Sequence, residues 1–219
     1  MLCANVSAAL LLEKLKIPTL YRIHEGPNPE KLDSVRKYLG GLGLGLGGGE
    51  KPNTKDYSKL MSKIRAREDS RLLHTMLIRS MMQAVYQLNN IGHFGLGFPA
   101  YTHFTSPIRR YPDLLVHRAI KYLIHNKTSD HLKFKNKTKV SREKIYPYTE
   151  SQIKEFGIAC SNFERRADAA SYSVLDWLKC EYMEDKVGEV FQGIITSVTS
   201  FGLFVELEDI FIEGLVHVT

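Results

Sequence analysis

The stretch that decides how this chain is read is His93-Phe94-Gly95-Leu96-Gly97-Phe98-Pro99-Ala100-Tyr101-Thr102-His103-Phe104-Thr105-Ser106-Pro107-Ile108-Arg109-Arg110-Tyr111-Pro112-Asp113-Leu114-Leu115-Val116-His117. It gathers aromatics, hydroxyls, three histidines and an arginine pair. Ser106-Pro107 reads as an N-cap followed by proline at the first helical position. A helical turn opening there points unpaired backbone N–H groups outward, which favours an anion. Arg109 and Arg110 stand in the same turn, and a guanidinium fork can hold two phosphate oxygens at once. Pro112 disfavours helix at Tyr111, so a break and a restart at Asp113 compete with a continuous helix. The residues leave two readings open: a phosphate-binding helix start, or an ordinary capped helix with solvated arginines.

Outward from this stretch the chain divides by periodicity. Upstream, Asn5–Lys16 carries helix formers with one apolar face, and Pro18 ends it. Asn28-Pro29 opens a second helix over Glu30–Leu39. Gly40–Gly49 holds seven glycines and three leucines, a low-complexity connector. Gly43, Gly45 and Gly48 match G-x-G-x-x-G as a string. No strand precedes them, Pro52 follows closely and no acid sits at a ribose position, so a nucleotide site is rejected. Leu73, Met76, Leu77, Met81, Ala84, Val85 and Leu88 recur at three- and four-residue spacing, which predicts one helix over Arg71–Leu88. Downstream, Leu123–Lys144 is basic and polar and predicts a loop, either a landing strip for RNA or a charged insertion. Glu150 to about Met183 predicts a long helix of roughly 50 Å. Val190–Val198, Leu203–Leu207 and Ile212–Val218 then predict strands of an antiparallel sheet.

The chain has 219 residues, 43% hydrophobic and 25% charged, which excludes a wholly disordered chain, a collagen repeat and a membrane bundle. Cys3, Cys160 and Cys180 are far apart and form no C-x-x-C. A disulfide framework and a zinc finger are therefore not expected, and a cytoplasmic location is. Charge is unevenly spread. Residues 1–186 hold all 30 basic residues and 19 of the 24 acidic ones, a net +11, whereas 187–219 hold five acids and no Lys or Arg. The basic part fits a polyanion surface or an ordinary solvated one.

The run from His93 to His117 resembles the hallmark motif of the ribonuclease II/ribonuclease R (RNB) family of exoribonucleases. M-L-C-A-N-V-S-A-A at Met1–Ala9, T-M-L-I-R-S-M at Thr75–Met81, F-E-R-R-A-D at Phe163–Asp168 and D-W-L-K-C at Asp176–Cys180 extend the resemblance over essentially the whole chain. It implies an α+β fold, with residues 1–186 as the mainly helical C-terminal portion of an RNB catalytic domain. Residues 187–219 are then an incomplete OB-fold RNA-binding domain of the ribosomal S-one type.

The implied activity is processive 3′→5′ hydrolysis of single-stranded RNA from its 3′ end, releasing nucleoside 5′-monophosphates. The implied cofactor is magnesium on a cluster of aspartates. Arg109 is the implied catalytic residue, holding the scissile phosphate and its transition state. Arg110, Ser106 and Thr105 would contact RNA beside it. Phe201, Phe204 and His217 would line the RNA face of the OB-fold, although as bare residues Phe201 and Phe204 are more often core, since alternate strand residues face inward.

One departure matters. The family's metal-binding aspartates precede M-L-x-A-N, and no D-x-x-x-x-x-D-x-D-D cluster occurs in this sequence. The sequence is therefore expected to be a piece of a longer protein and inactive alone, with no metal ligand assigned within it. A non-catalytic RNA-binding protein is the alternative. Asn5 fits either a substrate contact or a turn cap. His93 and His103 fit scaffold or RNA contacts better than metal ligation.

Overall fold

The structure is a computed structural model that describes residues 1–67, 69–126, 141–208 and 210–218. Most of the basic stretch, 127–140, lies outside the described residues, and so does Asp209. The chain forms two compact units, Met1–Phe163 and Glu164–Thr219.

The first unit is built from helices around a two-stranded ribbon. Helix α1 (Leu2–Lys14) buries Asn5, Ala8, Ala9 and Leu12. Strand β1 (Tyr21–Ile23) follows. Helix α2 (Pro29–Gly41) starts where the sequence says, with the Asn28 side chain accepting the backbone N–H of Glu30 and Lys31. Helix α3 (Thr54–Ile64) is not singled out by the sequence reading, yet its signals are present. Asn53 and Asp56 form a capping box, and Tyr57, Leu60 and Ile64 recur on its buried face. Then come α4 (Ser70–Ser80), β2 (Val85–Gln87), a 3₁₀ turn at Phe94–Leu96, α5 (Tyr111–Asn126) and the short α6 (Arg142–Ile145). Helix α7 (Glu150–Glu184) begins in this unit.

Two larger cores result. One joins Ala8 and Leu12 of α1 to Leu20, Tyr86, the buried face of α5, Tyr146 and Ile153. The other joins α2, α3 and α4 through Leu32, Leu39, Leu60, Ile64, Leu73 and Leu77. Leu46 is buried in this second core, and Leu42 and Leu44 pack against it. The glycine-rich connector is thus a core-filling loop, because its leucines find apolar partners on the helices it joins.

The single helix expected over Arg71–Leu88 is corrected. Helix α4 stops at Ser80, Met81 is extended, and Val85–Gln87 pairs antiparallel with β1 as Ile23↔Val85, Arg22↔Tyr86 and Tyr21↔Gln87. The Ser80 carbonyl accepts the Asn28 N–H, and the Ser80 hydroxyl turns back onto the Leu77 carbonyl. Val-Tyr-Gln favours a strand where a partner edge exists, and tertiary pairing overrides the helical spacing.

Helix α7 packs closely on this ribbon. A Cβ at Gly157 would lie 2.7 Å from the Tyr86 carbonyl oxygen and 3.0 Å from Leu20 Cδ2, so glycine permits the approach. One turn on, the Ser161 hydroxyl accepts the Tyr86 N–H at 3.0 Å and donates to the Gly157 carbonyl.

The second unit contains the rest of α7 and a three-stranded antiparallel sheet, β3 (Gly193–Thr199), β4 (Gly202–Leu207) and β5 (Glu213–His217), in that order. The β3–β4 register shifts between Ile195 and Ser197. Helices with separate antiparallel sheets make the α+β class expected, and among the described residues the sheet does not close into a barrel.

Candidate nucleic-acid interface

The hallmark stretch runs extended past the end of β1 and then folds into a tight turn. Residues 107–109 form that turn, in which the Ser106 carbonyl accepts the N–H groups of both Arg109 (3.3 Å) and Arg110 (3.1 Å). The α-helix starts only at Tyr111, so of the two expectations the break holds, with the restart at Tyr111 rather than Asp113. Pro112 fits this boundary: it is tolerated in the first turn of α5, whereas it disfavours a helix that runs on into it from earlier residues.

Asp113 provides the anchor. It is fully buried in the first turn of α5, and its Oδ1 accepts the Ser106 N–H and the Arg110 Nη2, both at 2.8 Å. An internal carboxylate therefore takes the N–H that the sequence reading offers to an external anion. Arg110 is four-fifths covered by this arrangement. Arg109 is exposed, as is Ile108 before it, and the Arg109 guanidinium makes no ion pair with another described residue. Thr105 and Ser106 are half-buried beside it. Three of the expected site residues thus share the Ser106–Arg110 turn and Thr105 directly precedes it, with a single guanidinium displayed.

The turn is held from behind by a polar and aromatic cluster. Asn5 of α1, 4% exposed, donates to the Tyr101 hydroxyl at 2.9 Å and accepts the Phe104 N–H at 3.1 Å. This makes Asn5 a cross-tie between α1 and the hallmark stretch. Thr102 donates to the Leu20 carbonyl, and His117 stacks on Phe104 at 4.4 Å while meeting its carbonyl through Nε2. The Tyr86 hydroxyl is 2.8 Å from His103 Nδ1, and the Arg22 guanidinium lies 4.6 Å over the Tyr86 ring. Tyr86, Arg22 and Asp113 are positioned here although the sequence reading gave them no role. Only Asp113, an acid in the first turn after Tyr-Pro, carried a local signal.

His93 and His103 belong to the scaffold. Burial, then the charges of Arg110 and Arg22, hold His103 down to about 4. Burial, then His24 and Arg22, do the same for His93. Both rings are neutral at pH 7. In the unfolded chain they titrate near 6.5, so below that pH the unfolded chain takes up protons that the folded chain refuses. Stability from these rings is full above pH 6.5 and declines as pH falls toward 4. Urea midpoints should drop between pH 6.5 and 5, and the His93→Asn/His103→Gln variant should show a flatter profile. An unchanged slope would refute this assignment.

In the second unit the sheet register sorts the aromatics. Gly202 pairs with His217 and Phe204 with Leu215, so Phe204 and His217 share one face of β4 and β5. The Phe201 ring meets Phe204 edge-on at 6.3 Å. A Cβ at Gly202 would lie 2.4 Å from the Val216 carbonyl oxygen, so the strands approach closely where His217 stands. Phe201 and His217 are exposed and Phe204 is half-buried. The expected trio therefore gathers on accessible surface.

No three His, Cys, Asp or Glu side chains come together among the described residues. No helix among them is long and apolar enough to cross a membrane.

The chain resembles known proteins along its whole length. The RNB domain family matches residues 1–126, and the S1 RNA binding domain matches residues 184–219. Ribonuclease R of Vibrio cholerae and Ribonuclease R of Escherichia coli are each 51% identical over 219 residues, all of this chain and 26% of either relative. The chain thus spans about a quarter of the length of the curated relatives it matches. The apo form of Mycoplasma genitalium RNase R matches the fold with a TM-score of 0.84 at 26% identity, over 99% of this chain and 32% of that one. That protein has also been solved in complex with ribose methylated single-stranded RNA.

Proposed function

The chain belongs to the RNB domain family, and from that premise we propose that it works as part of a processive 3′→5′ exoribonuclease. Its substrate is RNA entered at a single-stranded 3′ end, and its products are nucleoside 5′-monophosphates. The observation that carries the reading is the Ser106–Arg110 turn, which displays Arg109 while Arg110 is engaged by Asp113. Arg109 holds two oxygens of the scissile phosphate through its fork and takes up charge as that charge develops. Thr105, Ser106 and the partly covered Arg110 complete the phosphate-facing surface. Phe201, Phe204 and His217 stack bases, a contact that tolerates any sequence and so suits a processive enzyme. The domain division follows: residues 1–186 serve the catalytic domain and 187–219 the RNA-binding one.

Magnesium is the metal proposed for the reaction, and no cluster of three His, Cys, Asp or Glu among the described residues would hold it. The net +11 of residues 1–186 and the absence of paired cysteines suit a cytoplasmic RNA-binding role.

The purified 219-residue chain is expected to bind a single-stranded oligoribonucleotide with affinity that falls steeply with salt. With magnesium added it should release no mononucleotide. A hybrid in which these 219 residues replace the matching part of Escherichia coli Ribonuclease R should degrade RNA to mononucleotides. A hybrid that folds and binds RNA without hydrolysis would favour the alternative, a non-catalytic RNA binder.

A further inference from the structure

The hallmark turn contains a buried charge whose arrangement is poor for stability alone. Asp113 is fully buried, yet one of its oxygens, Oδ1, takes both the Ser106 N–H and the Arg110 Nη2. The other, Oδ2, is buried with no hydrogen-bond partner among the described residues, and so is Arg110 Nε. A side-on pairing would satisfy both atoms through two parallel bonds. Buried polar atoms left unmatched cost free energy, and a persistent instance calls for an explanation.

The explanation lies in what Oδ1 joins. Its two donors are the first and last residues of the turn, Ser106 and Arg110. The Ser106 carbonyl meanwhile holds the Arg109 and Arg110 N–H groups. One oxygen therefore closes the turn across its base, from α5, and leaves Arg109 pointing out. Rotating the carboxylate to pair fully with Arg110 would draw Oδ1 off Ser106 and open that base.

We infer that Asp113 is the positioning residue of the site, a clamp that fixes the Ser106–Arg110 turn and thereby the direction of the Arg109 guanidinium. This rests on the reading of Arg109 given above. Asp113 touches no substrate; it acts through the backbone of the turn. Asn at this position keeps the shape and one acceptor oxygen but loses the charge that engages Arg110. The turn then persists as a population of geometries, and effective alignment of Arg109 falls.

Two measurements test this. In the 219-residue chain, Asp113→Asn should speed amide hydrogen exchange at Ser106, Arg109 and Arg110 by about tenfold or more, while Val116 and Ala119 in the middle of α5 keep their rates. Acceleration spread evenly over α5, or none at the turn, would overturn the clamp. In the hybrid enzyme, Asp113→Asn should lower kcat by about 10- to 100-fold with KM nearly unchanged. In the Arg109→Ala background it should add almost nothing, because the two residues act as one unit. Independent, multiplying losses would assign Asp113 a merely structural role and overturn the inference. If Arg109→Ala itself leaves kcat intact, the catalytic reading of Arg109 fails and the exchange result alone decides the clamp. Should Asp113→Asn not fold, Asp113→Glu replaces it in both measurements, since it keeps the charge and moves the carboxylate off the base of the turn. Turn amides and kcat unaffected by that variant would count against the clamp equally.

Discussion

Replacing Arg109 with alanine in the hybrid enzyme should lower kcat by about 100- to 1000-fold, the loss seen when one preorganised group facing a developing charge is removed. RNA affinity should change by less than about threefold, because many other phosphate and base contacts supply ground-state binding. The split follows from the geometry. The Arg109 guanidinium is exposed and pairs with no other described residue, so its removal leaves no buried group unsatisfied. Thermal stability should stay within about 0.5 kcal/mol of the parent, as for a surface substitution away from special features. Single-turnover rates and anisotropy titrations on the same RNA provide the comparison. Equal losses in rate and affinity would reduce Arg109 to an ordinary phosphate contact.

The second large effect is on folding. Gly157→Ala should destabilise the chain by about 1–3 kcal/mol, with the upper end favoured because the obstacle is backbone. The added methyl would meet the Tyr86 carbonyl oxygen at 2.7 Å and Leu20 Cδ2 at 3.0 Å. Relief requires α7 to move away from β2. Movement stretches the bond from the Tyr86 N–H to the Ser161 hydroxyl, now 3.0 Å and buried. Because Tyr86 also meets His103, the strain reaches the segment behind the Arg109 turn. Urea unfolding measures the loss. A change below about 0.5 kcal/mol would mean the helix has slack that these distances deny.

Much of the fold is legible in the sequence, and the rest is hidden for physical reasons. Local chemistry announces itself: Asn28-Pro29 caps α2, and the valine- and isoleucine-rich runs after Gly188 become strands. Long-range pairing does not. Val85–Gln87 carries helical spacing in its neighbours and becomes a strand because β1 lies some sixty residues upstream. The leucines of the glycine-rich segment look like linker until the helices on either side bring their apolar faces to them. The site divides in the same way. Arg109 and the aromatics of the sheet stand out by residue type. The supports Asn5, Tyr86 and Asp113 are ordinary residues made important by what the fold sets against them.

The cross-ties behind the hallmark stretch have a bearing on how the protein is made. Asn5 reaches residues 96 and 99 positions away, Leu20 is tied to Thr102 across 82, Tyr86 to Ser161 across 75, and Pro18 to Tyr146 across 128. Contacts of such separation must overcome the loop-closure entropy of most of the first unit before they contribute anything, and they form late. The Arg109 turn should therefore be among the last parts to settle during folding, after the helices that frame it. A synthetic peptide of residues 93–117 would carry the whole signature as a string and none of its shape.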